Sequence, residues 1–394
     1  MHKQFLTYLI MHEIGHTLGL NHNMKASQML SPAELNDTAI THRIGLIGSV
    51  MDYPAINIAL DRSKQGDYYT TLAGPYDLWA IEYAYTPFDG ISEEANLHKI
   101  ASRSNDPKLA FGNDADDMRA PGKAMDPRVN VNDLSSDAIG YAEDRFKLVN
   151  NLMGKLLEKY AKPGQSYAEL RSRYGTLQGQ RFSMINAVSR YIGGVYIDRS
   201  FPEQNSGNKP FTLVALATQK KAINILNKYV FAPDAFNADA PLFAYLQPQR
   251  RGFSASPTGD DYRITNNVLS MQVGGAISHI LHPATLQRIT NSRLYGNQYS
   301  VADVLADLNT GIFAADLKSN VNVYRQYLQT AYVKGLLSII DPRSAQYDEV
   351  AKAAALNAVK KIKIEMSTAV ATNEETKAHR ANIVYLINEA LDHK

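Results

Sequence analysis

Apolar residues recur every three or four positions at the start of this 394-residue chain and again through most of its second half. Near the start, this spacing predicts an amphipathic helix over residues 3–20 with an apolar back, formed by Phe5, Leu6, Leu9, Ile10, Ile14 and Leu18. After residue 140 it predicts a series of helices, which includes residues 170–196, 211–231, 264–281, 301–308, 321–340, 347–369 and 374–391. The chain is therefore predicted to be mainly α, with a first region at residues 1–140 and an α-helical domain at residues 141–394.

The first predicted helix carries the pattern HExxHxxGxxH. Residues four apart lie on one helix face, so His12 and His16 present two imidazoles to one point while Glu13 leans toward the same cleft. Gly19 can adopt the left-handed conformation that ends a helix and turns the chain back, which lets His22 complete the set. Three neutral nitrogens with an open fourth position are typical of a catalytic zinc site, in which the carboxylate of Glu13 is placed to act as the base for a water molecule.

A second motif follows at residues 49–54, with the sequence SVMDYP. Together with the long histidine motif it resembles the metzincin clan of zinc metallopeptidases, in which a methionine-containing turn runs beneath the metal. The resemblance implies that His12, His16 and His22 bind Zn²⁺. It also implies that Glu13 acts first as general base and then as general acid, and that Met51 forms an apolar floor.

Tyr53 lies two residues after this methionine. Astacin-like and serralysin-like metzincins carry a tyrosine there that touches zinc or steadies the oxyanion, so the resemblance gives Tyr53 a catalytic role. An ordinary half-buried aromatic residue is the alternative.

Residues 74–85, GPYDLWAIEYAY, predict a helix that Pro75 opens and that ends before Pro87. This helix resembles the C-terminal helix of a metzincin catalytic subdomain. From the residues themselves, Asp77 is expected to cap the helix or to pair, and not to catalyse. Trp79 is expected to anchor the core, and stacking on a substrate is the alternative. The three motifs and the helical second half together resemble a bacterial group of large, little-characterised zinc-dependent peptidases.

In a metzincin, a twisted sheet precedes the zinc helix and its edge strand receives the substrate. Here the chain starts with the zinc helix, so we expect the upstream sheet and any export signal to lie outside it. We therefore expect zinc binding with weak or undetectable peptidase activity. The resemblance further implies a secreted, periplasmic or cell-surface location.

The amino-acid composition limits the classes of binding partner that are expected for this protein. A formal charge of +2 with 20% charged residues does not favour nucleic-acid binding. The sequence contains no run of eighteen apolar residues, so no membrane-spanning helix is predicted. The absence of cysteine excludes disulfides and thiolate ligands. A peptide or protein substrate is the expected partner.

Two other groups of possible metal ligands are weaker. Within residues 102–136, a stretch rich in Asp, Asn, Gly and Pro, residues 113–117 offer oxygens from Asn113, Asp114 and Asp116, but without EF-hand spacing a solvated loop is favoured over a calcium site. His279 and His282 share a helix face without an acidic partner at a matching offset, and Pro283 favours a helix end there.

Three functional hypotheses remain. The first is a metallopeptidase that uses a zinc-activated water with Glu13 as general base and acid. The second is a zinc hydrolase of a non-peptide substrate, because the motif specifies the nucleophile and says little about the substrate. The third is a noncatalytic helical binding module that retains a zinc helix.

Overall fold

A computed structural model of the protein describes residues 1–116, 121–204, 207–248 and 263–392. Two compact units are formed, the first from Met1–Asp144 with Gly194–Val214 and the second from Arg145–Gly193 with Ala215–Lys394. These units differ from the predicted regions 1–140 and 141–394 mainly because residues 194–214 lie with the first unit.

The first unit consists of short helices joined by irregular chain. Its helices are α1 (His2–Thr17), α2 (Thr38–Ile44), α3 (Pro75–Tyr85), α4 (Glu93–Ala101) and the beginning of α5 (Ala138–Met153). The strands β1 (Val195–Ile197) and β2 (Phe211–Leu213) pair antiparallel, with Val195 opposite Leu213, and they form the one sheet found in the described ranges. The predicted loop at residues 102–136 contains short 3-10 turns, at Ser102–Asn105, Pro107–Leu109 and Asp114–Asp116.

The hairpin was not predicted. Residues 170–196 and 211–231 were predicted as two uninterrupted helices, and that prediction is wrong at residues 190–196 and 211–215. Gly193 and Gly194 disfavour a helix, while the β-branched Val195 and Ile197 fit a strand once a partner is available. The partner is β2, whose three residues are too few to show an alternating pattern.

In its described residues, the second unit consists of helices joined by turns and irregular chain, with no strand. It contains α6 (Leu156–Tyr160), α7 (Ala168–Ser189), α8 (Leu216–Leu226), α9 (Ile264–Gln272), α10 (Ser278–Ile280), α11 (Pro283–Ser292), α12 (Val301–Phe313), α13 (Val323–Ile340), α14 (Glu349–Thr368) and α15 (Glu374–Asp392). Two single π-helical turns, Asn227–Phe231 and Val273–Ile277, continue α8 and α9. No helix within the described ranges is both long enough and apolar enough to cross a membrane.

A buried polar network lies between helices of the second unit. The Asp316 carboxylate accepts hydrogen bonds from Arg325 Nε and Gln329 Nε2, each at 2.7 Å. His379 Nε2 in turn donates to the Gln329 side-chain oxygen at 2.8 Å. Burial, followed by the charge of Arg380, lowers the pKa of His379 to about 4.

In the first unit, α1 is held against the turn at residues 49–54, which we call the Met-turn. The buried residues of α1 are Tyr8, His12 and Gly15, and the Tyr8 hydroxyl donates to the Asp52 carbonyl at 2.5 Å. A Cβ atom at position 15 would lie 2.3 Å from the Met51 sulfur, so only glycine permits this approach. The predicted apolar back of the helix lies on its exposed side, with Phe5, Leu6, Leu9, Ile10 and Ile14 all exposed.

We predict that Gly15→Ala lowers the free energy of unfolding by about 1–3 kcal/mol, because Met51 is fully buried and must move to admit the methyl group. The measurement is urea denaturation of the variant and the wild type. Gly90→Ala is the matched control, since nothing lies within 4 Å of a Cβ there. Equal stability of the Gly15 variant and the wild type would show that Met51 can move to admit the methyl group without loss of free energy of unfolding.

We also predict that His379 makes stability depend on pH. An imidazole in the unfolded chain has a pKa of about 6.5, so below that pH the unfolded state takes up the proton first, and the free energy of unfolding falls until the pH reaches the folded-state pKa of about 4. The expected loss is about 3 kcal/mol, since each unit of difference between the two pKa values corresponds to about 1.4 kcal/mol. His379→Gln should flatten the profile and the exposed His98→Gln should not; parallel profiles for all three proteins would contradict the assignment.

Candidate metal centre

Three histidine side chains converge at the end of α1. One nitrogen from each of His12, His16 and His22 lies within 4.8 Å of the corresponding nitrogens of the other two. His12 and His16 are four apart on the helix, whereas His22 lies beyond its end at Thr17. Gly19 has φ +82° and Leu20 N donates to the Gly15 carbonyl at 3.0 Å, so the chain turns back and brings His22 to the other two.

Each of the three imidazoles has an oxygen partner at Nδ1. The partners are the Val50 carbonyl at 2.8 Å for His12, the Leu20 carbonyl at 3.2 Å for His16 and the Asp114 carboxylate at 2.5 Å for His22. Since these oxygens only accept, Nδ1 carries the proton in each ring and the lone pair lies on Nε2. An imidazole held in this way has the tautomer that a metal ligand needs.

His12 provides the clearest test of whether a metal fits. The residue is 1% exposed, and its Nε2 atom is buried without a hydrogen-bond partner among the described residues. Burial lowers the pKa of His12, which keeps the ring neutral. A buried nitrogen lone pair with no donor opposite it is costly unless it binds something, and three imidazole nitrogens are a donor set suited to zinc.

The side chain of Asp77, near the start of α3, holds the Met-turn by hydrogen bonds. Its carboxylate accepts hydrogen bonds from the Val50 and Gly74 amides, both at 2.8 Å, and from the Ser49 hydroxyl at 2.5 Å. Asp77 therefore caps the start of α3 through the Gly74 amide, which is one of the two roles expected from the sequence. Because the Val50 carbonyl accepts a hydrogen bond from His12, Asp77 supports the position of His12 through the backbone of the turn.

Glu13 and Tyr53 lie on the exposed side of the centre. Glu13 follows His12 on α1 and is exposed. The Tyr53 hydroxyl lies 2.9 Å from His22 Nε2, and the Tyr53 ring centroid lies 4.8 Å from that of His12 and 4.9 Å from that of His22. The tyrosine that the metzincin resemblance selects is thus in contact with the third histidine.

The two weaker metal candidates have other partners. Asn113 Oδ1 accepts from the Ala115 amide, and the Asp116 carboxylate accepts from the Asn113 amide and from Arg199. Asp117 lies outside the described residues. His282 Nδ1 accepts from the Ala284 amide and caps α11, which begins at Pro283. Apart from the three histidines, the described part of the chain contains no group of three potential ligands close enough to share a metal.

Three residues that support the centre were not among the predicted site residues. Gly15 lies inside the histidine motif at a position that the motif leaves open. Asp77 was interpreted only as a cap or ion-pair partner of α3. Asp114 is 92 positions away from His22, and no local pattern indicates such a contact.

A comparison with protein-family models gives one match, to a family described as Met-zincin, over residues 1–320. Neither the curated proteins nor the solved structures contain a match to this chain. The matched range includes the whole candidate centre and covers most of the chain. On this basis the chain belongs to the Met-zincin family.

Proposed function

We propose that this protein is a zinc-dependent metallopeptidase that hydrolyses peptide bonds, with His12, His16 and His22 as the metal ligands. The observation that carries the proposal is the set of three Nε2 lone pairs, one of them buried and without a partner at His12. Membership of the Met-zincin family supports the same class of enzyme.

The chemistry that a bound zinc ion supplies at such a centre is polarisation of the scissile carbonyl and acidification of a water molecule. The protein provides the rest. Three ligands from one short segment leave an open coordination position, and the exposure of His16 and Glu13 gives solvent and substrate access to it.

Glu13 is the proposed general base. It is adjacent to the first ligand on α1, it is exposed to the solvent that supplies the water, and it is not one of the three ligands. In the proposed reaction its carboxylate takes a proton from the attacking water. The same carboxyl group then gives this proton to the nitrogen of the leaving amine as the C–N bond breaks.

Tyr53 is proposed to stabilise the oxyanion. Its hydroxyl donates to His22 Nε2 at 2.9 Å. That nitrogen has one lone pair, which cannot accept a proton and bind a cation at the same time. Occupation of the centre therefore requires the Tyr53 hydroxyl to exchange this acceptor for another, and the oxygen of the attacked carbonyl is an acceptor that gains charge during the reaction.

We predict that Glu13→Gln retains zinc and loses turnover of a mixed peptide library by about 10²- to 10⁴-fold, because a base is removed while the ligands remain. Zinc content is measured by elemental analysis in parallel with cleavage. His12→Ala combined with His16→Ala should abolish zinc binding, and Glu94→Gln, an exposed glutamate on α4, is the control for loss of charge. Stoichiometric zinc in the double histidine variant would overturn the ligand assignment. Zinc binding without cleavage of any peptide, both by this chain and by a longer form that includes an upstream sheet, would instead favour a non-peptide substrate or a noncatalytic module.

For Tyr53→Phe we predict unchanged zinc content and a decrease in kcat of about 10- to 10³-fold, because one of several donors to the oxyanion is lost. Tyr83→Phe is the matched control, since Tyr83 is also exposed. Peptide hydrolysis by the Tyr53 variant at the wild-type rate would leave Tyr53 with a packing role only.

A further inference from the structure

We infer that Asp114 is a positioning residue of the metal centre, which holds the His22 ring so that Nε2 faces the other two ligands. This inference rests on the zinc site proposed above and extends it to a residue of the long loop. The carboxylate oxygen Oδ2 of Asp114 lies 2.5 Å from His22 Nδ1.

The third ligand needs such support more than the other two. The His12 ring is buried under the Met-turn and bonds to a backbone carbonyl of that turn, and the His16 ring bonds to the Leu20 carbonyl, four positions further along the same segment. His22 lies beyond the end of α1, where no helical backbone limits its side chain. Its Nδ1 partner is the one side-chain carboxylate among the three Nδ1 contacts.

The segment that carries Asp114 is fixed by the residue next to the third ligand. Asn23 is fully buried, its side-chain amide donates to the Ala110 carbonyl at 3.0 Å, and its side-chain oxygen accepts from the Gly112 amide at 3.1 Å. The Met24 amide donates to the Gly112 carbonyl at 2.7 Å. The backbone beside His22 is therefore bonded directly to the backbone that leads to Asp114.

The chain that follows Asp114 is also held by hydrogen bonds. The amide of Asn113 donates to Asp116 Oδ2 at 3.0 Å, and the amide of Asp116 donates to the Asn113 carbonyl at 2.9 Å, which closes a turn around Asp114. Arg199, which follows β1, donates to Asp116 Oδ1 at 2.5 Å. Asp114 is thus presented to His22 by a turn with bonds at both ends.

The solvent exposure of the His22–Asp114 pair argues for a role in positioning the imidazole and against a role in folding stability. The side chain of Asp114 is 49% exposed and that of His22 is 22% exposed. Ion pairs with this degree of exposure contribute little to folding stability. A carboxylate on the distal nitrogen of a ligating imidazole, in contrast, fixes the ring and strengthens the donor nitrogen, and loss of such a partner typically weakens metal binding by about 10- to 100-fold.

The test compares zinc affinity in the full chain, by competition with a chromophoric chelator, for wild type, Asp114→Ala and Asp114→Asn. The visible absorption of the Co²⁺-loaded proteins reports ligand geometry, and thermal unfolding without metal reports stability. We expect Asp114→Ala to bind zinc about 10- to 100-fold more weakly, with an altered Co²⁺ spectrum and little change in metal-free unfolding. The asparagine oxygen can still accept from Nδ1–H, so Asp114→Asn should recover part of the affinity. Asp106→Asn is the control, because it removes a charge from the same loop at a carboxylate that caps the Lys108 amide.

Asn23→Ala gives an independent test, because it removes the two side-chain hydrogen bonds to residues 110–112 without changing the Asp114 residue itself. It should weaken zinc binding in the same direction. Wild-type affinity and an unaltered Co²⁺ spectrum in Asp114→Ala, with zinc bound normally by the wild type, would overturn the role of Asp114 alone. A wild-type chain that takes up no zinc would overturn the metal site itself and this role with it. Loss of affinity in Asp106→Asn as large as in Asp114→Ala would reduce the effect to net charge and would also overturn the assignment.

Discussion

The close approach of α1 to the Met-turn is the constraint on which the candidate centre depends. Gly15 lets the Met51 sulfur lie where a side chain at position 15 would otherwise be, and this contact places His12 beside the Val50 carbonyl. Asp77 then holds the Val50 amide from the other side of the turn. A single chain of contacts thus runs from the start of α3 to His12. Each member is buried, so a displacement of any one of them shifts the His12 imidazole.

The two ends of the histidine motif are oriented by different kinds of structure. His12 and His16 take their positions from a regular helix, whose geometry places residues four apart on one face. His22 takes its position from a reversal at Gly19 and from irregular chain that returns from the loop at residues 110–116. The motif is therefore continuous in sequence, although the orientation of its third histidine depends on residues that lie far from it along the chain.

This difference explains how much could be predicted. The spacing of the histidines, Glu13 and Gly19 indicates a metal site because the spacing of residues in a helix determines which face they share. For the same reason, the 3.6-residue period of apolar residues predicts α12, α13, α14 and α15 within a few residues. The hairpin of β1 and β2 could not be found in this way, because three-residue strands show no period. Gly15 and Asp114 act through contacts with Met51 and His22, and a pairwise contact between distant residues leaves no periodic trace in a single sequence.

The contact between His22 and Asp114 joins positions separated by 92 residues. Closing a loop of that length costs conformational entropy, which has to be offset before the contact contributes anything. The helical hydrogen bonds of the histidine motif are local, whereas the orientation of its third imidazole depends on a long-range contact that forms only when residues 22 and 114 are brought together. In the proposed zinc site, metal binding would therefore be coupled to folding of the first unit, because the third imidazole is held by a contact that only the folded chain makes.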